Sequence, residues 1–523
     1  MTRRLLGLAT LAFASALAAC SSPPPQHLTV LHTNDHHGRF WRNAQGEAGL
    51  AARKTLVDAV RAEVRAQGGQ VLLLDAGDVN TGVPESDLQE AEPDFRGMSL
   101  LGYDAMAVGN HEFDRGQPTQ QRQRSEWSSF AWLSANVQRD GTPVFEPYRI
   151  FQLGALRVAV LGLTTEDTAK MDTARRYPGL QFEPAITAAQ RLVPQLRPQA
   201  DVLIALSHLG HYVDGRHGVS APGDVELARA VPGIDVVVGG HSHSLVCMVQ
   251  ENVRHETYEP GGPCAPDRQN GAWIVQAGDR GRFVGRADFE WRDGRLSLQR
   301  YRLLPVNLPV NRQADPSLPE DPQALQLLAP FQQRGDAGLR APIGRVIGHL
   351  DGERASVRQR RTALGSFISA AMQDKAGADL ALISSGGIRA SLPEGEISQR
   401  DLLTVLPFGN RLVVVTLSGR ELADYVLALA RMTPGSGAFA QYSGLAFVFD
   451  GSAVRDIRIG GQPLAPERRY RMALPSFVAA GGDGYPDLRA HPGYVDTGFV
   501  DVAVLRDFIA ARGGSVAAAD FAP

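Results

Sequence analysis

Seven side chains with nitrogen or oxygen donors follow five apolar runs in the first half of the chain. The runs cover residues 28–31, 71–74, 105–108, 202–206 and 234–238. The donors are Asp35, His37, Asp78, Asn110, His208, His241 and His243. Short apolar runs are typical of buried parallel strands, and ligands bind beyond the carboxyl ends of such strands. We therefore expect the seven donors to form one site.

The donor types favour two divalent metal ions. None of the seven is a thiolate, so the set does not fit a structural zinc site. Seven ligands are too many for one ion and suit two, held about 3.5–4 Å apart as in two-metal hydrolases. Asp78 is the predicted bridge, because it follows a buried strand and a glycine. A single histidine that follows a strand is more often a hydrogen-bonded turn residue than a metal ligand, so the prediction depends on the whole set.

Alternating strand-like and helix-like segments must position these donors. Residues 55–67 have the pattern of an amphipathic helix that ends at Gly68 and Gly69, and residues 157–163 resemble another core strand. Residues 284–304 alternate as in a hairpin. The predicted fold class is α/β, in layers around a mixed sheet.

The length of 523 residues predicts two domains. A Pro-rich polar stretch at 308–322 and a helical stretch at 323–333 mark the boundary, which gives domains at 27–340 and 343–523. The formal net charge is −3 and no basic run with interleaved aromatic residues is present, so we expect no nucleic-acid polymer as a partner.

The N-terminus has the pattern of an export signal over residues 1–19, with Arg3 and Arg4 before a short apolar stretch. Residues 17–20 resemble a bacterial lipoprotein box, which predicts cleavage before Cys20 and acylation of its thiol. The alternative is an ordinary signal peptide with a chance cysteine. Residues 20–26 then form a tether, and the mature protein is a periplasmic or cell-surface lipoprotein that contacts the membrane only through its lipid anchor.

Cys247 and Cys264 are the remaining cysteines. Export permits a disulfide between them, and two free thiols are the alternative. Because no other partner is available after export, the bridge is the favoured prediction.

Several motifs resemble those of a known family. Asp35-x-His37, Gly77-Asp78 and the segments 109–112 and 240–243 look like the calcineurin-type metallophosphoesterase signature. Segments 34–38 and 109–114 narrow the resemblance to the 5′-nucleotidase family, in particular its bacterial members that act on both UDP-sugars and 5′-nucleotides. The likeness extends from about residue 28 to about residue 505 and includes the segments 407–410 and 481–486.

The resemblance implies an N-terminal αββα metallophosphoesterase domain and a smaller C-terminal α/β substrate-binding domain. It assigns one metal ion to Asp35, His37, Asp78 and His243, and the second to Asp78, Asn110, His208 and His241. The ions would be zinc, manganese, cobalt or magnesium. His243 replaces an amide residue of some relatives and remains a competent ligand. His111 and Asp114 correspond to the catalytic dyad.

The resemblance also implies the substrate-binding residues, which are Arg354, Arg358, Arg389, Phe408, Asn410, Phe477 and Asp483. By residue type alone, phenylalanine is usually core and arginine usually solvated surface, so this assignment depends on the resemblance. Ser384, Arg361 and Ala363 stand where animal 5′-nucleotidases have Asn, Glu and Asn.

The expected function is hydrolysis of nucleotides and nucleotide sugars by in-line attack of metal-bound hydroxide on phosphorus, in a protein that acts as a monomer. One alternative is a 2′,3′-cyclic nucleotide phosphodiesterase or 3′-nucleotidase of the same superfamily. Another is a nucleotide-binding lipoprotein without activity. The complete ligand set, together with His111 and Asp114, favours the enzyme.

A Cys20→Ser variant tests the lipid anchor. We expect palmitate labelling and membrane recovery of the wild-type protein, because acylation at Cys20 would hold the mature chain at a membrane. The variant lacks the thiol, so it should lose the label and become soluble. Equal soluble release of both proteins would contradict the lipoprotein prediction.

Overall fold

The computed structural model describes residues 25–523 except 171–176, 213–215, 218–220, 256, 311–316, 341 and 433. The predicted signal peptide, Cys20 and most of the predicted tether lie outside the described residues. None of the helices in the described part of the chain is long and apolar enough to cross a membrane.

Two six-stranded sheets form the centre of the N-terminal part. Its strands are β1 (Gln26–Thr33), β2 (Gln70–Asp75), β3 (Ala105–Ala107), β4 (Ala131–Leu133), β5 (Val137–Arg139), β6 (Thr142–Pro143), β7 (Tyr148–Leu153), β8 (Leu156–Thr164), β9 (Leu180–Phe182), β10 (Val202–His208), β11 (Arg216–His217), β12 (Ala221–Pro222), β13 (Val236–Gly239), β14 (Met248–Gln250), β15 (Val253–Arg254), β16 (Asp267–Gln269), β17 (Ala272–Val275), β18 (Phe283–Arg292) and β19 (Arg295–Pro305). The sheet orders are β19-β18-β1-β2-β3-β4 and β16-β17-β13-β10-β8-β7. Both sheets are mixed, because parallel inner strands carry antiparallel strands at their edges.

Helices cover the outer faces of both sheets. They are α1 (Leu50–Ala66), α2 (Pro84–Asp87), α3 (Glu92–Leu101), α4 (Gln117–Arg122), α5 (Ala185–Leu196), α6 (Asp224–Ala230) and α7 (Pro322–Leu339). Side chains of a strand alternate between its two faces, so both faces of a buried strand must be apolar. Val30 and Leu72 accordingly pack against the second sheet, whereas Leu31 and Leu73 pack under the helices. This packing gives the predicted αββα layers.

The C-terminal part is a smaller α/β unit built on one five-stranded sheet, with the order β24-β21-β28-β23-β29. Its strands are β20 (Pro342–Ile347), β21 (Leu380–Ser384), β22 (Gly395–Ser398), β23 (Arg411–Ser418), β24 (Ala440–Ser443), β25 (Leu445–Phe449), β26 (Val454–Ile459), β27 (Gln462–Pro463), β28 (Arg469–Pro475), β29 (Tyr494–Val500) and β30 (Ser515–Ala517). Its helices are α8 (Arg354–Val357), α9 (Ala363–Ala376), α10 (Gln399–Val405), α11 (Gly419–Ala430), α12 (Ser476–Ala479) and α13 (Asp501–Ala511). The two-domain architecture is the predicted one, while the boundaries at 340 and 343 stay a prediction.

Two helix predictions were too short. Helix α1 begins at Leu50, five positions before the predicted start, because Gly49 has a positive φ of 83° and Leu50 is fully buried. Helix α7 continues to Leu339, beyond the predicted end at residue 333. At Gly335 an added Cβ would lie 2.7 Å from the Cβ of Glu85, so a glycine permits this helix to pack closely on α2.

Two local predictions agree with the structure. The hairpin β18–β19 turns at Asp293 and Gly294, both with positive φ. Cys247 and Cys264 form a disulfide.

Candidate active site

The donors converge because the strands that precede them end at neighbouring positions of the two sheets. Asp35, Asp78 and Asn110 follow β1, β2 and β3 of the first sheet. His208 is the last residue of β10, and His241 follows β13 of the second sheet. The site therefore lies where parallel strands of both sheets end, as the sequence predicted.

Five of the predicted donors have a left-handed backbone. Their φ angles are 51° for Asp35, 50° for His37, 60° for Asp78, 73° for His241 and 55° for His243. This conformation costs energy for residues other than glycine, and it persists where the surroundings enforce it. The amide of Asp35 donates to the carbonyl of Gly77 at 2.8 Å. Clustered backbone strain of this kind is typical of a functional site.

Asp35, His37 and His243 form the first donor group. The Nε2 atoms of the two histidines lie 3.0 Å apart, and Nε2 of His243 lies 3.4 Å from Oδ1 of Asp35. The ligand atoms of the three residues lie within 4.8 Å of one another. The carboxylate of Asp35 also accepts from the amide of His241 at 3.0 Å, which fixes this turn.

Asp78, His208, His241 and Asn110 form the second donor group. Nε2 of His208 lies 3.1 Å from Oδ2 of Asp78 and 3.1 Å from Oδ1 of Asn110. Nδ1 of His241 lies 2.9 Å from the same amide oxygen. The structure thus brings together the residues of the two ligand sets that the resemblance implied, and the assignment of ligands stays a prediction. Asp78 also lies with His37 and His111 in a third group of possible ligands.

The hydrogen bonds of the histidines make the donors fit metal ions. Nδ1 of His37 donates to the carbonyl of Thr81 at 2.8 Å, and Nδ1 of His208 donates to that of Ala76 at 2.6 Å. A carbonyl only accepts, so Nδ1 carries a proton in both rings and Nε2 is the atom that each ring directs into the site. Burial and the charge of His243 lower the pKa of His37 to about 3, which keeps its ring neutral.

The charges at the second donor group also suit a cation. Burial lowers the pKa of His208, but the carboxylate of Asp78 outweighs this effect and raises it to about 10. Asp78 therefore attracts positive charge to this position, and a divalent ion held by residues such as His208 and Asp78 would supply that charge.

His111 and Asp114 form the predicted pair. Nδ1 of His111 lies 2.6 Å from Oδ2 of Asp114, which also accepts from the hydroxyl of Thr81 at 2.7 Å. Burial opposes protonation of His111, but the charges of Asp114 and Asp78 raise its pKa to about 10. These charges favour the protonated ring, whose Nε2 lies 3.9 Å from Oδ2 of Asp78.

A cavity of about 350 Å³ joins these residues to the C-terminal domain. It is lined by six of the seven predicted substrate-binding residues, namely Arg358, Arg389, Phe408, Asn410, Phe477 and Asp483. Arg354 is not among its lining residues. Its charge nevertheless acts on the cavity, because the pKa of Arg358 is lowered first by burial and second by the charge of Arg354. The ring of Phe408 stacks on His111, with centroids 5.9 Å apart. A base can therefore stack on this face of Phe408 only if the two rings separate.

The three positions that differ from animal 5′-nucleotidases have different surroundings. Ser384 lines the cavity. Arg361 instead donates to the carbonyl of Tyr442 at 2.7 Å and lies over its ring, and Ala363 is the first residue of α9.

Glu112, which lies within the segment 109–114, is a functional residue that the sequence alone did not indicate. Its carboxylate is buried and accepts four backbone N–H groups, from Gly109 at 2.7 Å, Val79 at 2.9 Å, Asp78 at 3.0 Å and Asn80 at 3.2 Å. It therefore fixes the turns that carry Asp78 and Asn110. The only sequence feature that could have indicated a role for Glu112 is its place between Asn110 and Asp114. The sequence does not show that four backbone amides from two turns donate to one carboxylate.

Comparisons with known proteins agree with this geometry. Residues 28–245 match the family model "Calcineurin-like phosphoesterase" and residues 343–490 match "5'-nucleotidase, C-terminal domain". The chain is 48% identical to "Protein UshA" of Yersinia enterocolitica over 96% of this chain and 94% of that protein. It is 47% identical to the "5'-nucleotidase" of Vibrio cholerae over 96% and 95%. The crystal structure of a 5'-nucleotidase precursor from Thermus thermophilus superposes with a TM-score of 0.72, at 33% identity, over 94% of this chain and 97% of that one.

The fold and the paired donor groups define a calcineurin-like metallophosphoesterase, which is a hydrolase of phosphate esters. The matches over nearly the whole length then identify the family: the chain belongs to the 5′-nucleotidases and is an enzyme that hydrolyses phosphoesters of nucleotides with divalent metal ions. The family resemblance read from the motifs is thereby confirmed.

A Glu112→Gln variant tests the role of the buried carboxylate. The amide nitrogen of glutamine cannot accept, so at least one backbone N–H group loses its partner, at a cost of about 1–3 kcal/mol. We expect a lower free energy of unfolding and weaker metal binding, measured by denaturant titration and by metal titration of the chelator-treated protein. Glu126→Gln, at an exposed position, is the control. Unchanged metal affinity in Glu112→Gln would show that Glu112 does not organise the site.

Proposed function

We propose that the protein is an exported dinuclear hydrolase that converts nucleoside monophosphates to nucleoside and phosphate, and UDP-sugars to UMP and sugar 1-phosphate. The observation that carries this proposal is the pair of donor groups, which a further group of His37, Asp78 and His111 connects. Two ions held side by side would suit attack on phosphorus. The names of relatives, "Protein UshA" and "5'-nucleotidase", support the nucleotide as substrate.

In this proposal Asp35, His37, Asp78 and His243 hold one ion, and Asp78, Asn110, His208 and His241 hold the other. When bound, the ions lower the pKa of a water molecule and neutralise charge on phosphoryl oxygens. The nitrogen and oxygen donors accept zinc, manganese, cobalt or magnesium.

His111 acts on the leaving group. Its imidazolium donates the Nε2 proton to the oxygen that departs from phosphorus, and Asp114 keeps the ring oriented through Nδ1. Arg358 and Arg389 supply guanidinium groups for phosphate oxygens. Phe408 and Phe477 provide ring faces for a base, on which stacking is worth about 1–3 kcal/mol.

The location proposed for the enzyme is the periplasm or the cell surface, with Cys20 as its lipid anchor. The disulfide between Cys247 and Cys264 supports an oxidising compartment, since such bonds persist there and are rare in the cytosol. We propose that the enzyme acts as a monomer.

A substrate panel tests the proposed activity. AMP, UDP-glucose, ATP, 2′,3′-cyclic AMP and bis-p-nitrophenyl phosphate are compared with wild type and with the double variant Phe408→Ala, Phe477→Ala. We expect wild type to hydrolyse AMP and UDP-glucose, and the variant to show a KM for both that is about 10–100-fold higher. Hydrolysis of bis-p-nitrophenyl phosphate, which has no base, should change little.

Phe499→Ala, at an exposed position outside the cavity, is the matched control. If wild type preferred 2′,3′-cyclic AMP to AMP, the 5′-nucleotidase proposal would be wrong. Equal loss of all activities in the double variant would show that the two rings stabilise the structure of the site and do not bind the base.

A His111→Ala variant tests the proton donor. We expect kcat to fall by roughly 10²–10⁴-fold while both metals remain bound, because His111 belongs to neither ligand set. Stopped assays and elemental analysis measure the two quantities, with exposed His349→Ala as the control. Loss of a metal from His111→Ala would contradict the assigned role.

A further inference from the structure

A second cavity, of about 430 Å³, lies beside the first one between the two domains. Arg389 lines both cavities. The second cavity is lined by six arginines, which are Arg39, Arg42, Arg280, Arg340, Arg389 and Arg400. Such a concentration of guanidinium groups requires anions, from the protein or from a ligand.

Three of the six arginines face carboxylates. Arg42 pairs with Glu320. Arg400 pairs with Asp336 and also lies 2.8 Å from Oε1 of Glu85. Arg340 lies 3.6 Å from the same Asp336. The acidic side chains that line the cavity, Glu85 and Asp336, therefore already form ion pairs with Arg400 or Arg340.

Of the other three arginines, Arg39 and Arg389 face no carboxylate in the described ranges, and Arg280 faces one only at a distance close to that of Arg340 from Asp336. Arg39 makes no ion pair and no side-chain hydrogen bond with any residue in the described ranges. The nearest carboxylate to Arg280 is Asp279, at 3.8 Å from Nε. Arg389 donates to the carbonyl of Gly386 at 3.4 Å and lies over the ring of Phe408. These guanidinium groups are available to an anion.

The three guanidinium groups line one cavity. Their like charges repel one another there, and a bound anion would relieve that repulsion.

The backbone ties two of these arginines to the donor turns. The amide of Arg280 donates to the carbonyl of Asp35 at 2.7 Å, and the amide of Arg39 donates to the carbonyl of His36 at 3.2 Å. Asp279 lies 3.8 Å from Nδ1 of His243. The second cavity is thus connected through the backbone to the first donor group, although His243 of that group lines the first cavity.

We propose that Arg39, Arg280 and Arg389 form a second anion site, which binds a phosphate group other than the one under attack. The proposal rests on the proposed function, because it adds a subsite to that reaction. Planar guanidinium groups bind phosphate oxygens in pairs, and their position on both domains lets one anion bridge the cleft. The phosphate is either the free product of monoester hydrolysis or the terminal group of a nucleoside di- or triphosphate.

The test compares the metal-loaded enzyme with the double variant Arg39→Gln, Arg280→Gln. The matched control is Arg42→Gln, Arg340→Gln, which removes two charges from the same cavity at positions that face carboxylates. Three quantities are measured for each protein: the affinity for inorganic phosphate by titration calorimetry, inhibition of bis-p-nitrophenyl phosphate hydrolysis by phosphate, and the ratio of kcat/KM for ADP to that for AMP.

We expect one of two results, with little change in the control. A weakening of phosphate binding and inhibition by about 10-fold identifies the free product as the ligand. A fall of the ADP-to-AMP ratio by about 10-fold identifies the terminal phosphate of the substrate.

The proposal is overturned if neither quantity changes, or if the control changes as much as the double variant. Loss of bound metal in the double variant, by elemental analysis, also overturns it, because the arginines would then support the donor turns. If wild type hydrolysed neither AMP nor UDP-glucose, the proposed function would fail, while calorimetry with phosphate would still decide whether the anion site exists.

Discussion

The buried carboxylate of Asp78 is the group on which the rest of the site depends. A buried charge costs several kcal/mol unless charges and hydrogen bonds compensate it. Here Oδ1 accepts from the amide of His111 at 2.9 Å and Oδ2 faces Nε2 of His208 at 3.1 Å. Glu112 holds the turn itself through backbone amides. The buried carboxylates of Asp78 and Glu112 lie close together and therefore favour the binding of cations. The packing of the turns that bury them is in this way coupled to metal binding.

The layered fold explains how such turns are kept in place. Alternate residues of β1 and β2 pack against the second sheet and against the helices, so both strands are fixed on two faces. Rigid strands allow the turns beyond them to hold left-handed conformations at residues that are not glycine. The packing of the two sheets thus maintains left-handed backbone conformations that these residues would not adopt in an isolated peptide.

The division into two domains separates the candidate metal ligands from the residues that are proposed to bind the base of the nucleotide. The donors and His111 belong to the N-terminal domain, whereas the candidate base contacts, Phe408 and Phe477, belong to the C-terminal one. The two parts meet through a few polar contacts, such as that of Arg400 with Glu85, and through the stacking of Phe408 on His111. Cavities at domain interfaces commonly hold small molecules, and polar interfaces of this kind permit relative motion.

The sequence by itself predicted the six apolar runs that form inner strands and the hairpin β18–β19, because apolar runs and turn residues act locally. It also placed the seven candidate donors just after five of these runs. Tertiary structure decided which polar groups share a partner. It directed backbone amides from two turns to Glu112, left Arg354 outside the cavity lining and extended α7 to Leu339. It also left Arg39 without a carboxylate partner among the described residues. These outcomes depend on contacts between segments distant in sequence, and no local pattern specifies such contacts.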